Sequence, residues 1–180
     1  NEILLPRNLA RETTENKNVR LKNSPAAENL IIISLDTLRA DRVGTYGYSR
    51  NTTPNIDRFA SRGAVFENTY TQSPATLPSH STALTGMYPG AHGGQIMTYE
   101  PLPGSVLTLA EILKNNGFET ASFNGGAQLS RFFGFDQGFD VFNDTGAGIR
   151  ASWPSARKWL GERRDKRFFL FLHCYDIHTP

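Results

Sequence analysis

The run NLIIISLD, residues 29–36, constrains this chain more than any other stretch. It is continuous, apolar and β-branched, and a run of that kind suits a strand buried on both faces of a parallel sheet. A second run, FFLFLH at 168–173, repeats the pattern near the other end. Between them, helical and strand-like segments alternate. Residues 54–62 (PNIDRFASR) read as a short helix, with Pro54 in its first turn and Gly63 at its end. Residues 64–70 (AVFENTY) suit a strand, and the pattern from about Pro78 to Leu84 is helical, with Gly86 as the stop. Residues 105–116 read as an amphipathic helix, with Ser105 as its cap and Gly117 after its end. Residues 119–123 are strand-like, 124–150 read as a long Gly- and Phe-rich loop, and 154–164 read as a helix starting at Pro154. Alternation of this sort predicts an α/β fold, a mainly parallel sheet flanked by helices.

Composition narrows the function classes. With 180 residues the chain is long enough for one domain with a real core. A net charge of +2 gives no reason to invoke nucleic acid or an anionic membrane. No apolar run approaches the ~20 residues of a membrane span. Cys174 is the single cysteine, so an internal disulfide is excluded, although this does not fix the compartment. Residues 1–28 are polar and weakly periodic and read as a lead-in arm to a domain over 29–180. That domain closes on a buried strand and a His-bearing loop, an ending that needs neighbours. An incomplete domain, the N-terminal part of a larger polypeptide, is therefore expected.

Three constellations carry chemistry. Asp36 directly follows the first apolar strand, and open α/β sheets gather ligands at the carboxyl ends of their strands. A carboxylate there suits a hard divalent cation, or else simply caps a turn, with Asp41 pairing against Arg39 or Arg42. Thr76, in SPATLPSHSTALTGMYP (73–89), lies just before a predicted helix start. Helix N-termini offer free N–H groups to anions, and a metal-activated hydroxyl is a nucleophile. His80 stands in the first turn, where it could donate to the anion or the nucleophile; a plain cap and a surface histidine are the alternative. The third is HCYDIHTP (173–180), where Asp176 and His178 sit two apart at the end of a buried strand, so that alternation puts them on the same side. His178 there could bind metal, hold an anion or protonate a leaving group, or be a loop histidine.

Taken together, these motifs resemble the sulfatase branch of the alkaline phosphatase superfamily. NLIIISLDTLRADRVGTYGY is similar to the family's opening strand and metal loop, and TPNIDRFASRGAVFENTYTQSPATLPSHSTALTGMYP to the run through its nucleophile motif. LTLAEILKNNGFETASF, GFDQGFDVF and FFLFLHCYDIHTP follow in the family's order, so the resemblance covers roughly residues 29–180. It implies an alkaline phosphatase-like fold, with Asp36 as a metal ligand and Thr76 as both nucleophile and metal-binding oxygen. It also implies His80 in the place of the motif arginine and His178 as the active-site histidine of the later loop. The implied cofactor is a divalent metal ion, calcium first, with manganese or zinc as alternatives. The implied substrate is a sulfate or phosphate ester, with glycans and lipids among the candidates, handled in the periplasm or outside the cell.

The departures are specific. Threonine could at best be oxidised to a ketone, so no formylglycine is expected, and Thr76 suits the unmodified Thr or Ser chemistry of related phosphodiesterases and phosphotransferases. Thr37 stands where a second aspartate is common. Gly126 and Gln128 stand where the family has a lysine and a histidine. The remaining metal ligands of the family fall beyond residue 180, so the remainder of its own polypeptide is expected to complete the site, and the 180 residues alone are expected to be inactive. A second reading follows from the same departures: a sulfatase-fold binding or structural protein without turnover.

Overall fold

The computed structural model describes residues 29–94, 100–146, 148–163 and 165–178. The predicted lead-in arm, 1–28, and the last residues of the D-x-H-x-P loop lie outside the described residues. Four strands form one sheet: β1 (Asn29–Leu35), β2 (Glu119–Phe123), β3 (Val141–Asn143) and β4 (Phe168–Cys174). Their order is β1-β4-β2-β3 and every pairing is parallel. The α-helices are α1 (Pro54–Ala60), α2 (Thr76–Thr85), the single turn α3 (Pro89–His92), α4 (Leu109–Asn115) and α5 (Ile149–Gly161). None of the described helices is long and apolar enough to cross a membrane.

Strand alternation in β4 builds the two halves of the core. Phe169 and Phe171 pack with Leu77 and Leu84 of α2 and with Ala110 and Leu113 of α4. Phe168, Leu170 and Leu172 point the other way, against Ala156 and Trp159 of α5. Every residue of β4 is buried, as the sequence predicts for a central parallel strand. β1 departs from that expectation. It pairs along its whole length with β4 but sits at the sheet's edge, where Ile31 is 47% and Ile33 61% exposed. Nothing among the described residues covers that face.

Other boundaries move for identifiable reasons. Residues 64–70 are not a strand; they run exposed with no sheet neighbour. The helix predicted from 105 starts at Leu109, because Thr108 and not Ser105 is its cap: Glu111 N–H donates to Thr108 Oγ1 (3.1 Å) and Thr108 N–H to Glu111 Oε2 (2.9 Å). This is a reciprocal capping box. The helix predicted from Pro154 starts at Ile149, whose N–H donates to Asp176 Oδ2 at 2.7 Å. Pro154 therefore lies inside α5, where its missing N–H costs one helical hydrogen bond. The segment read as a long loop contains two short 3-10 turns and β3, a three-residue edge strand too short to show a period.

Candidate active site

The site forms where the carboxyl ends of β1, β2 and β4 meet the N-terminus of α2. At the end of β1, Asp36 N–H still donates to Cys174 O (3.1 Å), which extends the ladder by one bond and fixes the aspartate at the rim. Thr37, the next residue, adopts φ 60°. That is a strained conformation for a β-branched side chain, and it turns the chain away sharply behind Asp36.

Thr76 opens α2 as its first residue, two positions earlier than the sequence pattern implied; the N-cap is Ala75. Its Oγ1 donates to Asp36 Oδ2 at 3.0 Å. Two residues separated by 40 positions are thus brought into direct contact, as the shared strand-end address anticipated. His80 lies one turn further along α2. Its Nδ1 bonds the Thr76 carbonyl at 2.8 Å and its Nε2 bonds Ser34 Oγ at 2.8 Å. A carbonyl only accepts, so Nδ1 carries the proton and the Ser34 hydroxyl donates to Nε2. In this arrangement the neutral ring has no N–H left for an anion; what it holds is the backbone of Thr76. Burial pushes the His80 imidazole below its usual range, against the opposing pull of the Thr76 carbonyl and of Asp36.

Gln128 sits across from Thr76. Its Oε1 accepts the Leu77 N–H at 3.0 Å, capping the first turn of α2. The next residue, Pro78, has no N–H, so fewer first-turn donors remain for an anion than the sequence alone implied. The turn that delivers Gln128 is unusual: Gly126 and Ala127 have φ 72° and 49° in succession. A side-chain Cβ at Gly126 would approach Asp144 O to 2.3 Å. The position where the family resemblance implies a lysine therefore has no room for a side chain in this fold.

His173 escaped the sequence reading, although it lies within the FFLFLHCYDIHTP run. It is fully buried on the face of β4 that carries Phe169 and Phe171. Its ring meets His80 edge-on at a centroid distance of 5.0 Å, and its Nε2 lies 3.4 Å from Asp36 Oδ2. Burial, and secondarily the neighbouring His80, push its imidazole down to about 4; Asp36 opposes this in part. The missed signal was the period-2 continuation Phe169, Phe171, His173.

Asp176 and His178 are not joined by strand alternation, because β4 ends at Cys174. Asp176 is engaged at the N-terminus of α5. His178 is exposed in the following turn; its N–H donates to Tyr175 O (2.9 Å) and its ring lies 6.0 Å from that of Tyr175. Tyr175 in turn packs 4.5 Å from His173, and burial, aided by Asp36, raises its phenol pKa. Asp41 pairs with Arg39, as anticipated, at 2.7 Å on the surface.

Among the described residues no group of three or more His, Cys, Asp or Glu side chains is arranged to hold a metal ion. Asp36 and Thr76 present two hard oxygens at one point, and that chemistry fits part of the shell of a hard divalent cation, which takes six or more oxygens.

Comparison with known proteins fixes the class to which this fold and rim belong. The sulfatase family model matches residues 28–180, and the chain belongs to the sulfatase family. Among curated relatives, a Delta 4,5-hexuronate-2-O-sulfatase of Bacteroides thetaiotaomicron is 33% identical over 111 residues, covering 59% of this chain and 23% of that protein. Among solved structures, a 2-O GAG sulfatase superposes with TM-score 0.69 at 25% identity, covering 84% of this chain and 35% of the other. A phosphonate monoester hydrolase of Agrobacterium radiobacter shares the fold with TM-score 0.66 at 19% identity, covering 85% and 42%. The chain spans about a fifth of the length of the curated relatives it matches, for example 23% and 20%.

Proposed function

We propose that the complete polypeptide hydrolyses sulfate or phosphate or phosphonate esters, with Thr76 as an unmodified nucleophile. The observation that carries this reading is the 3.0 Å hydrogen bond from Thr76 Oγ1 to Asp36 Oδ2 at the N-terminus of α2. The hydroxyl is aligned to lose its proton toward a carboxylate while facing the positive end of a helix, where an anionic ester is stabilised. Asp36 and Thr76 would hold a divalent cation, calcium or alternatively manganese or zinc, with further donors from outside the described residues. When bound, such an ion supplies a lowered hydroxyl pKa and charge neutralisation of the ester.

Thr76 Oγ1 attacks sulfur or phosphorus as its proton passes to Asp36; the bond to the ester's alcohol breaks, and the alcohol departs carrying that proton, handed on through solvent, with His178 assisting the leaving oxygen. Water then cleaves the Thr76 ester and restores the hydroxyl. His80 holds the Thr76 backbone in place through its carbonyl, a positioning role. The hexuronate sulfatase among the relatives supports a sulfated glycan as one substrate class. The phosphonate monoester hydrolase shares only the fold with this chain. The test is hydrolysis of aryl sulfate and aryl phosphate esters by the full-length protein. Thr76→Ala is expected to lower kcat at least ~10³-fold, since it removes the nucleophile. Full activity in that variant would end the assignment.

The second reading, a sulfatase-fold binding protein without turnover, is favoured by one observation: Gln128 already occupies the Leu77 N–H. It predicts no hydrolysis of either ester and no calorimetric binding of Ca²⁺, Mn²⁺ or Zn²⁺ by the full-length protein.

A further inference from the structure

Among the described residues, His173 is a buried polar group at the site that neither packing nor the proposed chemistry accounts for. The residue is 0% exposed, and neither ring nitrogen has a hydrogen-bond partner. Its neighbours are aromatic. Phe171 stacks at 6.2 Å with a 24° interplanar angle, and Tyr175 and His80 approach edge-on at 4.5 and 5.0 Å. A phenylalanine would continue the Phe169–Phe171 row and fill such a niche without burying two polar atoms, and an unpaired buried polar atom costs free energy that a carbon does not. The ring's Nε2 faces Asp36 Oδ2 at 3.4 Å. This is the oxygen that already accepts the Thr76 hydroxyl at 3.0 Å. Two acceptors do not face each other, so Nε2 carries the ring's proton in the neutral imidazole.

We propose that His173 is a positioning residue that takes over Asp36 Oδ2 when Thr76 releases it. The inference rests on the reading of Thr76 and Asp36 as the reacting pair. While the Thr76 hydroxyl points at Oδ2, that oxygen is satisfied and His173 stands back. Once Thr76 Oγ1 turns to an ester, Oδ2 loses its donor in a largely buried pocket. An approach of about 0.5 Å brings Nε2–H into ordinary hydrogen-bond range. The carboxylate is then held in one orientation through the covalent stage, and no proton leaves the imidazole. β4 supplies a rigid platform for this: it is buried throughout and pairs on both sides.

The experiment compares two variants of the full-length protein on aryl sulfate and aryl phosphate, with melting temperatures alongside. His173→Phe keeps the ring and removes the donor. Its expected result is a fall in kcat of about 100-fold, KM within about threefold, and a melting temperature no lower than wild type. His173→Gln returns an N–H at similar reach and is expected to restore kcat to within about tenfold of wild type. A merely structural role would move melting temperature and kcat together and would not be rescued by glutamine. The proposal is overturned if His173→Phe keeps kcat within threefold. It is equally overturned if a folded His173→Gln loses kcat as fully as phenylalanine does, and that variant alone decides should the phenylalanine protein not fold. An inactive Thr76→Ala beside an unaffected His173→Phe sinks this inference and leaves the site reading standing. A fully active Thr76→Ala sinks both.

Discussion

β1 and β4 carry nearly the same apolar pattern, pair residue for residue over seven positions, and end in the same site. Their surroundings differ completely. β4 is buried at every position, whereas β1 alternates between partly buried and exposed residues, with Ile33 61% in solvent. The difference separates two things that hydrophobicity confounds. A run of Ile and Leu records which surface a strand is built to bury. Its place in the sheet order decides which surface this span of chain covers. The chemistry follows the same split. β1 contributes Asp36 from an open edge beside a strained Thr37, and β4 contributes His173 from the interior.

The largest effect that tests this contrast is Phe169→Ala, in the centre of β4. Phe169 is fully buried between α2 and α4, and its loss is expected to cost ~3–5 kcal/mol, seen as a shift in urea midpoint. That approaches the whole stability of a marginal domain. A loss under 1 kcal/mol would mean that β4 is not the core strand.

A middle-sized effect comes from pH. Burial holds His173 near 4, so as pH falls through the ordinary histidine value the unfolded chain takes up a proton that the folded chain refuses. Stability from this source is therefore flat above about pH 6.5 and falls as pH drops toward about 4. His80 is shifted the same way by burial. A decrease on the order of 2 kcal/mol between pH 7.5 and 5 is expected from denaturant titrations. His173→Phe should flatten that slope. β1 contains no histidine, and substitutions at its exposed Ile31 and Ile33 should leave the slope unchanged.

The smallest effect belongs to β1. Ile33→Ala is expected to cost less than about 1 kcal/mol in this span, because the side chain is already mostly wet. The same measurement in any longer form of the chain sharpens the comparison. A cost rising to ~2–4 kcal/mol there would show that other residues cover the β1 face.

Much of the site was readable because strand ends are readable. Asp36 after an apolar run, Thr76 before a helical pattern and His178 after the last strand share one topological address, and the first two do touch. What could not be read were contacts that depend on side-chain direction across elements. His80 was expected to face an anion, yet its ring nitrogens turn to Ser34 Oγ and the Thr76 carbonyl. Gln128 looked like a missing histidine, yet it caps the helix that bears the nucleophile. Asp176 looked like a partner of His178 and instead serves the N-terminus of α5.

The alternation of strands and helices, the parallel sheet and the chain positions of Asp36 and Thr76 followed from the sequence alone, because hydrophobic period and punctuation by Gly and Pro act over a few residues. Only the tertiary structure decided that β1 is an edge, that Gly126 has no room for a side chain, and that His173 stands behind Asp36. Each of those depends on atoms brought together from segments tens of residues apart, and no local pattern encodes which atom will stand opposite which.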